Sequence, residues 1–290
     1  MMTRILPVLT VVAAIIAIWY IATVLLNAPF QRDTYERAKN TTWTTSQLIS
    51  DTLAQERPVL PAPHQVVEEI YKTTVLKKIT SKRSLIYHSW VTLSSTLLGF
   101  IIGTVFGILL AVLIVHNRAM DKSLMPWVIS SQTIPILAVA PMIIVVLNAI
   151  GIQGLLPKAF ISTYLSFFPV VVGMVKGLRS PEVIHLDLMR TYSASKWDVF
   201  WKLRWPSSTP YLFTSMKIAI AISLVGAIVG ELPTGAVAGL GARLLAGSYY
   251  GQTIQIWSAL IMASLLAACL VALVGYANML VLKRMGMKEQ

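Results

Sequence analysis

Leu97-Leu98-Gly99-Phe100-Ile101-Ile102-Gly103-Thr104-Val105-Phe106-Gly107-Ile108-Leu109-Leu110-Ala111-Val112-Leu113-Ile114-Val115 carries no charged side chain. A helix that crosses a bilayer needs about 20 such residues. The run extends back to about Ser89 and ends at the polar turn His116-Asn117-Arg118. A soluble domain does not expose a run of this length, so the stretch reads as a spanning helix.

The rest of the chain repeats the pattern. Leu6 to Asn27 supplies a first span; its apolar core is longer than a signal-peptide h-region, and no clear cleavage site follows, so it reads as a retained signal-anchor. Further spans run from about Leu124 to Ala149, Ala159 to Val175, Tyr211 to Gly230 and Ile256 to Leu282. The predicted fold class is all-α and transmembrane, with about six membrane-spanning helices.

Composition agrees. The 290 residues are 56% hydrophobic and 12% charged. Soluble domains carry roughly twice that charged share, so here the charges belong to loops. The formal charge of +12 is scattered between apolar runs and forms no dense patch, which argues against nucleic acid. The single cysteine, Cys269, lies inside an apolar run and permits no internal disulfide and no zinc cluster.

Between spans one and two lies a polar segment, residues 29–87, containing Asn40-Thr41-Thr42 and the proline-rich 57–63. Val66, Val67, Ile70 and Tyr71 recur there at helical spacing, which predicts a short amphipathic surface helix. Starting with Arg4 on the cytoplasmic side and alternating, the basic residues Arg118, Lys122, Lys176, Arg179, Arg190, Lys196, Lys202, Arg204, Lys283, Arg284 and Lys288 fall inside. That matches the positive-inside bias and predicts cytoplasmic termini. Lys77, Lys78, Lys82 and Arg83 fall outside, in a loop long enough for the bias to weaken. The domain reading is a signal-anchor over 1–28, a periplasmic segment over 29–87, a core of five spans over 88–285 and a cytoplasmic tail over 286–290.

The polar segment Ser180 to Pro206 is rich in local signals. Ser180-Pro181 reads as an N-cap with a first-turn proline. Ser195 with Asp198 resembles a capping box. Pro206 is expected to stop a second short helix, and Thr209-Pro210 to start span five. The loop therefore reads as two short helices carrying Trp197, Phe200, Trp201 and Trp205 among basic residues. Such aromatics lie at a headgroup layer or anchor a docked protein.

The stretch Arg190-Thr191-Tyr192-Ser193-Ala194-Ser195-Lys196-Trp197-Asp198-Val199-Phe200-Trp201-Lys202-Leu203-Arg204-Trp205-Pro206 resembles the EAA loop of ATP-binding-cassette importer permeases, in particular the nitrate, sulfonate, taurine and bicarbonate branch. Pro61-Ala62-Pro63, His88, Thr92-Leu93, Gly99-Phe100, Ile134-Pro135, Ala140-Pro141 and Phe167-Phe168-Pro169 extend the likeness over residues 58–285. Two positions depart from it: Ser193 stands where that loop has glycine, and Trp205 where it has leucine.

The resemblance implies a type I importer permease with a cytoplasmic coupling-helix loop. Arg190, Ser193, Ala194, Ser195, Trp197, Phe200, Trp201 and Pro206 would meet a separate ATPase. Its expected partners are a second copy in a homodimer, two cytoplasmic ATPase subunits, a periplasmic or lipid-anchored solute-binding protein and membrane lipid, with no nucleic acid. ATP and Mg would belong to the ATPase, and this chain would bind no cofactor and no metal. The chain holds no G-x-x-x-x-G-K-[ST] phosphate loop, so it does not hydrolyse ATP by that route. Its setting would be a bacterial inner membrane.

Other positions carry narrower expectations. Gly99, Gly103 and Gly107 form a small-residue stripe for close helix packing, within a subunit or at a dimer or pathway contact. Pro126, Pro135 and Pro141 are expected to bend span three. Gln132 and Thr133, polar within that span, are pathway candidates. Glu231, where span five ends, is a gate or structural candidate. Lys217 is expected to snorkel to the inner interface. The small-residue stretch Gly235 to Gly251 reads as an outer loop. The competing function is a secondary transporter or channel without an ATPase, but no internal repeat and no mid-bilayer carboxylate supports it. No motif of enzyme chemistry is present, and the solute stays open among small anions and pyrimidine-like compounds.

Overall fold

An apolar run in hydrocarbon must satisfy its own backbone, and an α-helix does so within one segment. The computed structural model describes residues 2–38, 42–232 and 237–286, and their regular elements are helical. In chain order these are α1 (Met2–Arg37), α2 (Thr45–Leu53), α3 (Pro63–Thr74), α4 (Leu85–His116), α5 (Arg118–Ser131), α6 (Ile136–Ala149), α7 (Leu155–Leu178), α8 (Val183–Thr191), α9 (Lys196–Val199), α10 (Trp205–Val229), α11 (Leu240–Tyr249) and α12 (Thr253–Arg284). Five helical stretches are long and apolar enough to cross a bilayer, and the pair α5 and α6 adds a sixth if counted as one bent span. The described residues fall into two compact units, Met1–His88 with Ala242–Ala263, and Ser89–Gly241 with Ser264–Gln290.

In the first unit α1 outruns its apolar core. The helix continues ten residues beyond Asn27, through Pro29, with Gln31, Arg32, Glu36 and Arg37 favouring helix. Asn27 is fully buried and holds the proline-rich segment. Its Oδ1 accepts from the Val59 and Leu60 amides at 2.8 and 3.2 Å, and its Nδ2 donates to the Leu60 carbonyl at 2.9 Å. Trp19 Nε1 donates to the Pro61 carbonyl at 2.9 Å. The predicted amphipathic helix is α3, with Pro63 in its first turn, Val66 buried and Val67 and Tyr71 exposed.

Two helices escape the sequence pattern in this unit. α2 lies inside the polar segment; Thr44 caps it by accepting from the Gln47 amide at 3.3 Å, and the Tyr35 hydroxyl of α1 donates to its Asp51. α11 replaces most of the expected outer loop, its Arg243 pairing with Glu69 of α3 at 3.6 Å. Asn40, Thr41, Gly235 and Lys288 lie outside the described residues, as does the side chain of Arg4.

In the second unit α4, α7 and α10 pack through small residues. A Cβ on Gly99 would lie 2.7 Å from the Ala159 carbonyl oxygen, and one on Gly107 would lie 2.8 Å from Val170 Cβ. A Cβ on Gly103 would overlap Ser166 Oγ. The stripe therefore faces α7 of the same chain. Gly226 of α10 meets α7 equally closely, a Cβ there falling 2.8 Å from Ser162 Cα. Hydroxyls join the three helices: Ser162 Oγ donates to the Ser223 carbonyl at 2.6 Å, and Ser223 Oγ donates to the Thr96 carbonyl at 2.9 Å.

Span three is not one rod. α5 and α6 meet at 98° across residues 132–135. Pro135 lacks the amide that would continue the ladder and disfavours helical geometry for the residue before it, so α5 ends at Ser131. The pair still carries the chain from one end of the unit to the other. At the α5 start Asp121 pairs with Arg179, just past α7, at 2.8 Å, whereas the start of α7 places Lys158 beside the far end of α10.

Gly103→Val is expected to lower the thermal midpoint of the detergent-purified protein, with an overpacking cost of about 1–3 kcal/mol. Ile102→Val, on an exposed position, serves as the control and is expected to leave the midpoint unchanged.

Candidate functional site

Two features stand out in the second unit: the exposed segment that links α7 to α10, and a buried carboxylate at the opposite end of α10.

The linking segment is built by its caps. Ser180 Oγ donates to the Gly177 carbonyl at 2.8 Å, so it closes α7 instead of opening the next helix. α8 starts at Val183 with Glu182 in the N-cap position, which revises the Ser180-Pro181 expectation. α8 ends in a Schellman turn: the Ser193 amide donates to the Arg190 carbonyl at 2.8 Å, and the Ala194 amide to the Met189 carbonyl at 3.0 Å. That turn requires a left-handed residue, and Ser193 supplies it at φ 52°, the one positive-φ residue other than glycine among the described residues. Ser195 then caps α9, accepting from the Asp198 amide at 3.1 Å.

Pro206 does not end the second helix. Lys196–Val229 is one continuous helical run. Residues Phe200–Arg204 form a π-turn, in which the Trp205 amide bonds the Phe200 carbonyl five residues back. The wider turn ahead of Pro206 makes room for its ring against the carbonyl four residues before it. Pro210 likewise lies inside α10 and starts nothing.

The segment brings its aromatics together. Phe200 is buried, with the rings of Trp201, Trp205 and His116 at 5.0, 5.9 and 5.2 Å from its centroid. Trp197 packs edge-to-face with Trp201 on the outside of this group, centroids 5.6 Å apart, and is 70% exposed; Trp201 is 46% exposed. No residue of α8 or α9 is buried, and Val183, Ile184, Leu188 and Tyr192 are all exposed. Arg190 is held to Asp187 at 2.9 Å on this surface.

Gln132 and Thr133 sit in the break between α5 and α6, both exposed. Thr133 Oγ1 donates to the Ser130 carbonyl at 2.8 Å, and the Tyr164 hydroxyl of α7 donates to the Ser131 carbonyl.

Glu231 is 0% exposed, two residues beyond α10. Its carboxylate accepts from Thr92 Oγ1 at 2.9 Å and from the Gly241 amide at 2.9 Å. Lys158 Nζ lies 3.8 Å away and also donates to the Ala238 carbonyl at 3.0 Å. Thr92 in turn accepts from the Leu240 amide at 2.8 Å. The carboxylate thus ties α4, α7 and α10 to the start of α11. Burial pushes it up to about 7, against the opposing pull of Lys158, the Gly241 amide and Thr92. Sequence reasoning did not connect Thr92 and Lys158 to Glu231, although a lysine and a glutamate at the ends of two spans was the available signal.

The fold is a bundle of helices long and apolar enough to span a membrane, with an exposed helical hairpin between two of them. The family described as binding-protein-dependent transport system inner membrane component matches residues 103–287, and the chain belongs to it. It is similar to the formylaminopyrimidine transport permease protein ThiX of Halalkalibacterium halodurans, 31% identical over 67% of this chain and 72% of that one. A probable ABC transporter permease protein of Haemophilus influenzae is 28% identical over 73% of this chain and 81% of its own length. Nitrate import permease protein NrtB of Leptolyngbya laminosa is 26% identical over 74% of this chain and 76% of that one. The fold is similar to a chain of the inward-facing MetNI methionine ABC transporter, with a TM-score of 0.58 at 19% identity, covering 69% of this chain and 95% of that one.

Two outcomes follow from these contacts. Ser193→Gly removes the side chain from a left-handed position and is expected to stabilise by about 1 kcal/mol, read as a raised thermal midpoint. Glu231 binds its proton more tightly folded than unfolded, so the folded state holds extra protons between the ordinary value of 4.5 and about 7. Stability is therefore expected to fall as pH rises through that window and to level off above it. Glu231→Gln is expected to flatten the profile of thermal midpoint against pH.

Proposed function

We propose that this permease couples to a separate cytoplasmic ATPase through residues 183–205, and that two copies of the chain form the translocation pathway. The carrying observation is the hairpin of α8 and α9. It exposes Trp197, Trp201, Tyr192 and Leu188 around the buried Phe200, and no element among the described residues covers them. Aromatic residues beside Arg are what a docked protein uses as anchors. Because α9 runs into α10 without a break, displacement of the hairpin passes directly into a spanning helix.

In this reading the hairpin end of the second unit is cytoplasmic, as are both termini, in a bacterial inner membrane. The opposite end, with Glu231, Lys158 and Thr92, faces a binding protein that delivers a small molecule. Relatives carry nitrate, aliphatic sulfonates, formylaminopyrimidine and riboflavin in their names, which supports a small-molecule solute. Gln132 and Thr133, at the α5–α6 break, are proposed to line the route, and Glu231 to hold the outer end together. ATP and Mg bind the ATPase partner.

The second reading, a hairpin resting on headgroups, is favoured by its Trp and Tyr content alone. Co-purification separates the two. The Trp197→Ala, Trp201→Ala double variant is expected to lose the ATPase that the wild type retains, while keeping its elution profile and thermal midpoint. Equal retention by both would assign the aromatics to the lipid surface.

A further inference from the structure

Lys77, Lys78, Lys82 and Arg83 are the basic residues that the positive-inside pattern leaves on the wrong side. All four lie between α3 and α4, and all four are exposed. Two successive turns fold them together. The Ser81 amide donates to the Lys78 carbonyl at 2.9 Å, and the Ser84 amide to the Ser81 carbonyl at 2.9 Å. The base of these turns is fixed. Ser84, Leu85 and His88 are buried, and His88 Nε2 donates to the Lys82 carbonyl at 2.9 Å. A buried base thus carries an exposed basic face.

The chain does not neutralise that face. No Asp or Glu lies between Glu69 and Asp121. Glu68 is taken by Lys72 at 2.7 Å, and Glu69 faces Arg243 at 3.6 Å. None of the four cations makes an ion pair among the described residues. Apolar side chains are mixed with the charges: Val75, Leu76 and Ile79 are 62%, 64% and 63% exposed.

The place of the segment in the chain narrows what covers it. After Arg83 the next Lys, Arg, Asp or Glu is Arg118, beyond the end of α4. At 1.5 Å per residue the 32 residues of α4 measure about 48 Å. The hydrocarbon layer is about 30 Å thick, and the whole bilayer with its headgroups about 40–45 Å. A spanning helix of that length ends in or just past the headgroup layer, and the basic face begins where this one does. Aliphatic side chains enter the acyl boundary there, while uncompensated Lys and Arg meet phosphate.

We infer that residues 75–83 form a binding surface for anionic phospholipid headgroups, of which phosphatidylglycerol is the probe. The surface lies outside residues 103–287, which the family matches, and adds a lipid preference to the permease core. In the topology proposed above it reads the outer leaflet.

The test places the full chain, as Ile79→Cys in a Cys269→Ser background, in nanodiscs of phosphatidylcholine with or without phosphatidylglycerol. The new cysteine carries nitrobenzoxadiazole, whose emission moves to shorter wavelength on entering an apolar layer. That shift is expected to grow with the phosphatidylglycerol fraction and to vanish in about 1 M salt, where screening acts within about 3 Å. Lys78→Gln is expected to need about fivefold more phosphatidylglycerol for the same shift, the equivalent of about 1 kcal/mol for one basic residue. Replacing all four cations by Gln is expected to abolish the shift and to leave the thermal midpoint in detergent unchanged, since the four positions are exposed. Equal emission with and without phosphatidylglycerol would overturn the assignment and leave the face to an acidic protein. So would the same shift produced by inorganic phosphate in phosphatidylcholine discs, or an undiminished shift in Lys78→Gln. The measurement uses neither ATPase nor solute, so its failure is distinct from a wild type that retains no ATPase.

Discussion

Helices in lipid gain nothing from hiding apolar surface against one another, because the acyl chains are as apolar as leucine. What holds α4, α7 and α10 together must therefore be close backbone approach and polar contacts between helices. Gly99, Gly103 and Gly107 allow α7 to approach, Gly226 does the same from α10, and the Thr96–Ser223–Ser162 hydroxyl chain crosses all three helices. Everything functional in the second unit hangs from this contact. The hairpin of α8 and α9 joins the ends of α7 and α10, and the Glu231 network closes over their opposite ends.

The two ends of that bundle are built by different physics. At one end the fixed elements are caps and a Schellman turn, all local in sequence, and the side chains around them point away from the protein. At the other end a single carboxylate collects donors from residues as far apart as Thr92, Lys158 and Gly241. A local motif presents a surface that another molecule can cover. A long-range buried network resists movement, because a lost donor leaves a buried group unsatisfied.

How far the chain explains itself follows this division. Long uncharged runs announce the spanning helices without further help, and Ser195 with Asp198 announces the start of α9. Ser193 was visible as a departure from glycine, and the structure shows the left-handed backbone that makes the departure matter. Other features depend on what a local pattern does not encode. Pro206 reads as a stop, yet a π-turn upstream absorbs its ring and the helix continues. The proline in Ile134-Pro135 reads as a bend, but its size, 98°, is set by how α5 and α6 meet their neighbours. α2 and α11 are short and polar or glycine-rich, and are stabilised by Tyr35 and Glu69, partners far away in sequence. The Glu231 network joins residues up to 149 positions apart, and no spacing rule reaches that far.

The unbroken run Lys196–Val229 gives the protein a mechanical element. At 1.5 Å per residue its 34 residues make a rod of about 51 Å, longer than the bilayer is thick. Such a rod pivots instead of compressing. Glycine contacts with α7 run from Ser208 opposite Gly177 to Gly226 opposite Ser162, and the hairpin end projects beyond that packed length as a short, exposed arm. Tilted by about 5° about one end, the rod moves its other tip by roughly 4 Å. The π-turn sits just inside the handle, where one extra residue per turn changes the direction in which the aromatic face points without cutting the shaft.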